Sequence, residues 1–271
     1  MRTSEKPMNL FMRGLRSVVQ VVAIVLLTAA WAQADEIRVM TSGAMSAALK
    51  EVTPAFERAS GSTLLVVSGG SVAGAADSIP DRLARGERAD VVIMAAGGID
   101  DLANAGRVVA GSRVDLARSS IGIAVRAGAP KPDISTVEAL TRALLQAKSV
   151  AYSSSVSGVY ISTELFQRLG IASQMTPKSR KIESEPVAVA VARGDAELGF
   201  QQISELRPVP GVDVVGPLPP AVQRVTIFSV ATAAGSTNPA GGRALIAFLA
   251  SPAASAAIAR SGMDPVTPPN P

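Results

Sequence analysis

Short apolar runs alternate with longer amphipathic stretches over most of the chain. Runs at 37–41, 64–68, 90–95, 121–125, 150–153, 198–202, 212–215 and 225–231 read as strands. Between them apolar residues recur at helical spacing, as in Met45, Leu49, Val52 and Phe56, and again in Ile161, Leu165 and Leu169. Strand and helix in alternation predict an α/β chain with mainly parallel sheets. Pro54 and Pro80 fall inside two of the proposed helices and are expected to kink or shorten them. Residues 186–192 alternate like a strand, but Arg193 and Gly194 supply a basic last turn and a glycine stop, so the segment is read as a helix. The proline-rich tail, 265–271, reads as extended or disordered.

The first 34 residues break the pattern. Arg2, Lys6, Arg13 and Arg16 precede an apolar run at 18–30, followed by Ala32-Gln33-Ala34. This is the layout of a secretory signal peptide with a small-residue cleavage site. The run is shorter than the roughly 20 residues that span a bilayer. Cleavage after Ala34 removes four of the 26 basic residues and Glu5 of the 22 acidic ones, leaving 237 residues at a net charge of +1. The basic pI of the whole chain, 9.8, therefore belongs largely to the signal and gives no reason to expect a nucleic-acid or membrane partner.

Two residue types are missing altogether. Without cysteine there is neither a lipid-anchor site nor a disulfide framework. Without histidine, His-dependent triads and the usual zinc sites are excluded. Seven aromatic residues follow the signal, too few to favour a sugar stacked between rings.

The candidate chemistry lies in three Ser/Gly-rich turns, each expected to join a strand to a helix: Thr41-Ser42-Gly43-Ala44-Met45, Ser68-Gly69-Gly70-Ser71-Val72, and Ser153-Ser154-Ser155-Val156-Ser157-Gly158-Val159. First-turn amides have no intrahelical partner and carry partial positive charge, so such a turn favours an anion. An ordinary N-cap explains any one of them. Three at the carboxyl ends of strands, where open α/β sheets form crevices, point to a ligand site. None contains Lys or Arg, so the anion is expected to be held by neutral dipoles. Asp77 and Asp81 are read as lying on a solvated helix face and Asp90 as opening a strand.

With these turns in place, the chain resembles the molybdate-binding, type 2 periplasmic solute-binding proteins over nearly all of the part after the signal. The matching stretches are 39–56, 68–71 followed by 84–92, 157–160 and 194–200. The resemblance implies two lobes joined by crossover strands, closing on a ligand by a hinge motion. It puts the family's first ligand serine at Ala44, with Ser42 and Ser46 nearby, its second at Ser71, a backbone donor at Ser157 and another near Ser184. Gln202 stands where those receptors carry a tyrosine. The loss of both side-chain hydroxyls argues against molybdate itself.

Together these readings predict a signal peptide at 1–34, a first lobe from 35–120 and 226–271, and a second lobe with hinge strands from 121–225. The expected ligand set is Ser42, Gly43, Ala44, Gly70, Ser71, Ser157, Ser184 and Gln202. The expected function is that of a periplasmic, monomeric solute-binding component of an importer. It captures a molybdate-like oxyanion or a small carboxylate, and its partner is an inner-membrane ABC permease. No cofactor, metal or catalytic residue is expected, and the chain is read as not an enzyme; the alternative is an enzyme or ligand sensor on the same fold. Mass spectrometry of the exported protein is expected to find Asp35 at its amino terminus, and an intact Met1 would contradict the signal assignment.

Overall fold

β1 (Glu36–Ser42) delivers the chain directly into α1 (Gly43–Ser60), whose Met45, Leu49, Val52 and Phe56 form the buried face expected from their spacing. β2 (Thr63–Gly69), α2 (Ile79–Ala84), β3 (Val91–Ala95) and α3 (Ala96–Asn104) follow. The computed structural model describes residues 35–183 and 185–266. The signal segment, Ser184 and residues 267–271 of the tail lie outside them.

The chain then enters β4 (Val114–Arg126), α4 (Val137–Gln146), β5 (Val150–Ser153) and α5 (Val156–Tyr160), which runs on through a π-helical turn (Ile161–Leu165). After these come β6 (Ser179–Ile182), α6 (Val187–Arg193), β7 (Leu198–Gln202), α7 (Ile203–Leu206) and β8 (Val212–Pro217). β9 (Val225–Thr232), α8 (Pro239–Leu249), α9 (Pro252–Arg260) and β10 (Asp264–Pro265) complete it.

The architecture is two-lobed α/β. The strand order is β2-β1-β3-β9-β4-β7-β5-β6, with β8 and β10 also paired to β4. β2, β1 and β3 are parallel neighbours, and so are β6, β5 and β7. Between these two parallel groups run β4 and β9, antiparallel to their neighbours. β4 changes partner along its length: Val114 to Ser120 pair with β9, and Ile121 to Arg126 pair with β7 and β8. Separate apolar cores flank this change. One gathers Ile37, Met45, Phe56, Phe228 and Leu245; the other gathers Ile123, Leu140, Ile161, Phe166 and Phe200.

Both prolines are accommodated without a break. Pro80 occupies the first turn of α2, where its missing N–H has no intrahelical partner to lose. Pro54 lies within the continuous α1 and faces solvent, so water can satisfy the carbonyl it leaves free. The ambiguous segment forms the helix α6 and stops at Gly194 with φ of 89°.

Asp90 is not a solvated strand start but a buried latch, 1% exposed. Its Oδ1 accepts from the Ser236 hydroxyl (2.7 Å) and from the backbone N–H groups of Thr237 and Asn238 (2.9 Å each), while Oδ2 accepts from the Arg38 N–H (2.8 Å). It thus ties the loop before α8 to β1. Burial acts to raise its pKa, but these bonds hold it below the ordinary carboxylate value. Asp90→Ala is expected to cost about 3 kcal/mol or more in denaturant unfolding, because it leaves several buried donors unpaired. Since the folded pKa is depressed, the contribution of Asp90 is complete above about pH 4 and disappears as pH falls through the folded value. The gap between wild type and variant should close in acid.

Candidate functional site

The serines at the strand ends are not used as helix caps. Ser42 precedes α1 and Ser155 precedes α5 in extended conformation, yet neither side chain accepts from a backbone N–H of its helix; Ser155 Oγ instead meets the hydroxyls of Ser153 and Ser157. Away from these turns, Ser78, Thr136 and Asn238 do cap α2, α4 and α8. Capping stabilises a helix by about 1 kcal/mol, and at these two starts the first-turn amides are left without a side-chain acceptor. Ser42 Oγ is buried and has no hydrogen-bond partner among the described residues.

The second turn differs from expectation. After Gly69 the chain does not enter a helix but makes a bent loop that reaches α2 only at Ile79. Asp81, in the first turn of α2, holds this loop by accepting from the Gly74 N–H (2.6 Å) and the Ser78 hydroxyl (2.5 Å), and Ile79 N–H donates to the Gly70 carbonyl (2.9 Å). Asp77 therefore sits in the loop rather than on a helix.

The three turns converge on a cavity of about 290 Å³, near the lower end of the roughly 300–1,000 Å³ usual for small-ligand sites. Residues 42–44, 68–71 and 153–156 line it, with Asp77, Ile182, Glu183, Glu185, Pro186, Gln201, Gln202, Glu205 and Phe228. Ser42, Gly43, Ala44, Gly70, Ser71 and Gln202 are thus brought together. Ser157 is not in the lining. Its hydroxyl lies behind it, 3.2 Å from Ser153 Oγ, which is itself 2.8 Å from Ser155 Oγ. Gly158 makes this arrangement sterically feasible, since a Cβ there would fall 1.6 Å from the Ser153 carbonyl oxygen. Ser184 lies outside the described residues. Gln202 donates from Nε2 to Thr226 Oγ1 (3.1 Å), and its Oε1 is buried without a partner.

The lining carries no lysine or arginine, but it carries a carboxylate that sequence reasoning passed over. Glu205 stands in the first turn of α7, where an acidic residue ordinarily reads as complementing the helix dipole. Its Oε1 accepts from Gln201 Nε2 (2.9 Å). A Cβ on Gly43 would lie 2.3 Å from the same oxygen, so the carboxylate is lodged against the start of α1. The residue keeps some exposure to the cavity, yet protein surrounds the carboxylate. Burial pushes its pKa up to about 7, against the opposing pull of hydrogen bonds from Gln201 and the Gln202 backbone. A carboxyl poised there both gives and takes a proton near neutral pH.

The family model for bacterial extracellular solute-binding proteins matches residues 37–264. The chain belongs to that family. This solute-binding protein superposes on the periplasmic molybdate-binding protein of Azotobacter vinelandii with a TM-score of 0.68 and 20% identity, covering 86% of this chain and 100% of that one. A sulfate-binding protein of Mycobacterium tuberculosis gives the same TM-score and identity, over 86% and 88%. The fold is therefore the one the molybdate-binding resemblance implies.

A curated relative is of another kind. An aconitate isomerase from a Pseudomonas species is 47% identical over 228 residues, 84% of this chain and 87% of that protein. This overturns the expectation that the chain is not an enzyme. The absence of histidine and cysteine excludes only the chemistries that depend on those two residues.

The raised pKa of Glu205 has a thermodynamic consequence. The folded state holds the proton to higher pH than the unfolded chain, so this stabilisation is complete below about pH 4 and is lost as pH rises to about 7. Glu205→Gln is expected to be about 2–3 kcal/mol more stable than wild type at pH 8 and no more stable at pH 4, by denaturant unfolding. Equal stability at both pH values would place the carboxylate in water.

Proposed function

We propose that this protein is an exported isomerase that takes up a small unsaturated tricarboxylate, aconitate, in the cleft and interconverts its geometric isomers by moving one proton. The observation that carries the reading is the 47% identity to an aconitate isomerase, which extends over most of both chains. The cleft supports it independently. Its three turns present amides and serine hydroxyls around one small cavity, one turn for each carboxylate, with Ser42, Gly43, Ala44, Gly70 and Ser71 as contacts and Gln202 opposite. Ser157 backs the third turn through Ser153.

Aconitate has a methylene group between a carboxylate and a carbon–carbon double bond. Removing its proton gives an anion delocalised over the allylic carbons; returning a proton at the far carbon breaks and remakes one C–H bond and shifts the double bond. Nothing is oxidised or reduced. Because the carbon chain is the same read from either end, the product is again aconitate, with geometry set by how the chain is held. Glu205 is the group in the cavity suited to carry that proton, and its protonated form also lessens repulsion of the anionic substrate.

Lobes at 35–120 with 226–271 and at 121–225, closing about β4 and β9, would shut water out of the cleft while the anion exists. The second reading, a receptor that hands its ligand unchanged to an inner-membrane permease, draws support from the family to which the chain belongs. Turnover separates the two. Purified protein is expected to convert one aconitate isomer into a mixture, followed by the absorbance of the conjugated double bond. Glu205→Gln should lower kcat by about 10²–10⁴-fold. Tight binding of aconitate without conversion would establish the receptor in its place.

A further inference from the structure

We propose that Gln201 is the positioning residue of Glu205, holding the carboxylate against the start of α1 in the one orientation that faces the cavity. This rests on the reading of Glu205 as the proton carrier. Gln201 is the penultimate residue of β7, 4% exposed, and its backbone is fixed by a strand paired on both sides. Its amide cannot be turned around. Oε1 accepts from the backbone N–H of Val187 at 2.9 Å, and a backbone N–H only donates, so the NH₂ end is the one left to face Glu205. A four-part chain results: Val187 N–H at the start of α6, the Gln201 carboxamide, the Glu205 carboxylate, and Gly43 at the start of α1.

The chain works on the proton in two ways. The Gln201 donor favours the ionised carboxylate and so offsets part of its desolvation, keeping Glu205 able to act as a base near neutral pH. It also removes the rotational freedom that a glutamate on a one-turn helix would otherwise have. Facing Glu205, α1 offers Gly43 and Ala44 and β7 offers Gln201 and Gln202, none of them charged; the other titratable groups around the cavity are Asp77, Glu183 and Glu185.

The test is the titration of Glu205, read twice. Difference infrared spectra across pH, with Glu205→Gln as the blank, isolate its carboxyl band without any substrate. The acidic limb of kcat against pH reports the same group in turnover. In Gln201→Met, both are expected to move up by roughly one pH unit or more, with kcat falling about tenfold at pH 6.5 and KM changing far less. Gln201→Glu keeps an acceptor for Val187 while setting a second carboxyl against the first, and should also raise the upper titration step. It serves if the methionine variant does not fold. Glu205 titrating as in wild type in the folded variants overturns the proposal. A displaced infrared titration in a protein that converts no aconitate would leave the positioning role standing and remove the isomerase reading; conversion with an unmoved titration would do the reverse.

Discussion

The organising constraint is that two helices, α1 and α5, open onto one cavity with their leading amides uncapped. α2, α4 and α8 are capped by the side chain just before them, whereas α3, α6, α7 and α9 are not; the uncapped starts of α1 and α5 face the same cavity. At Ser42 and Ser155 the residue types are right for capping but the bonds are not made. The sheet enforces this geometry. β1 and β5 are central in their parallel groups, so their carboxyl ends cannot shift to relieve the helices that follow. The unmet demand for an acceptor is therefore built into the fold rather than into any single side chain, and it is best met by something negatively charged that arrives from outside.

That demand would suit a receptor as well as an enzyme, and in the function proposed above the difference between them lies in the surroundings of one residue. A neutral polar residue in place of Glu205 would leave a plausible anion site. A carboxylate there is a cost to anion binding, tolerated because desolvation keeps it protonated much of the time near neutral pH.

What could be read from the sequence follows physical lines. The buried strands β1, β3, β5 and β7 and the face of α1 were legible because burial writes a period into the residues. β6 was missed because its Ser179-Arg180-Lys181 lies at the edge of the sheet and stays polar, and the first section of β4 because Asp115 and Arg118 interrupt its apolar run. The cavity's serines were found through their turn chemistry. Asp77 was put on a helix because the loop before α2 is held by Asp81, a contact that no local pattern announces. Glu205 and Gln201 were invisible for a similar reason: the role of each comes from residues distant in sequence, Gly43 for one and Val187 for the other.

The Asp90 latch bears on how the chain reaches this state at all. Its partners stand 146 to 148 residues away on one side and 52 on the other, and β3 finds its antiparallel neighbour only in β9. The first-formed strands thus lack a finished core until nearly the whole chain has been made. Contacts of such long sequence separation slow folding, because loop closure must precede the gain it brings. A chain cut short before Val225 would leave β3 without β9 and Asp90 without its latch, so the first core closes only when the end of the chain joins it.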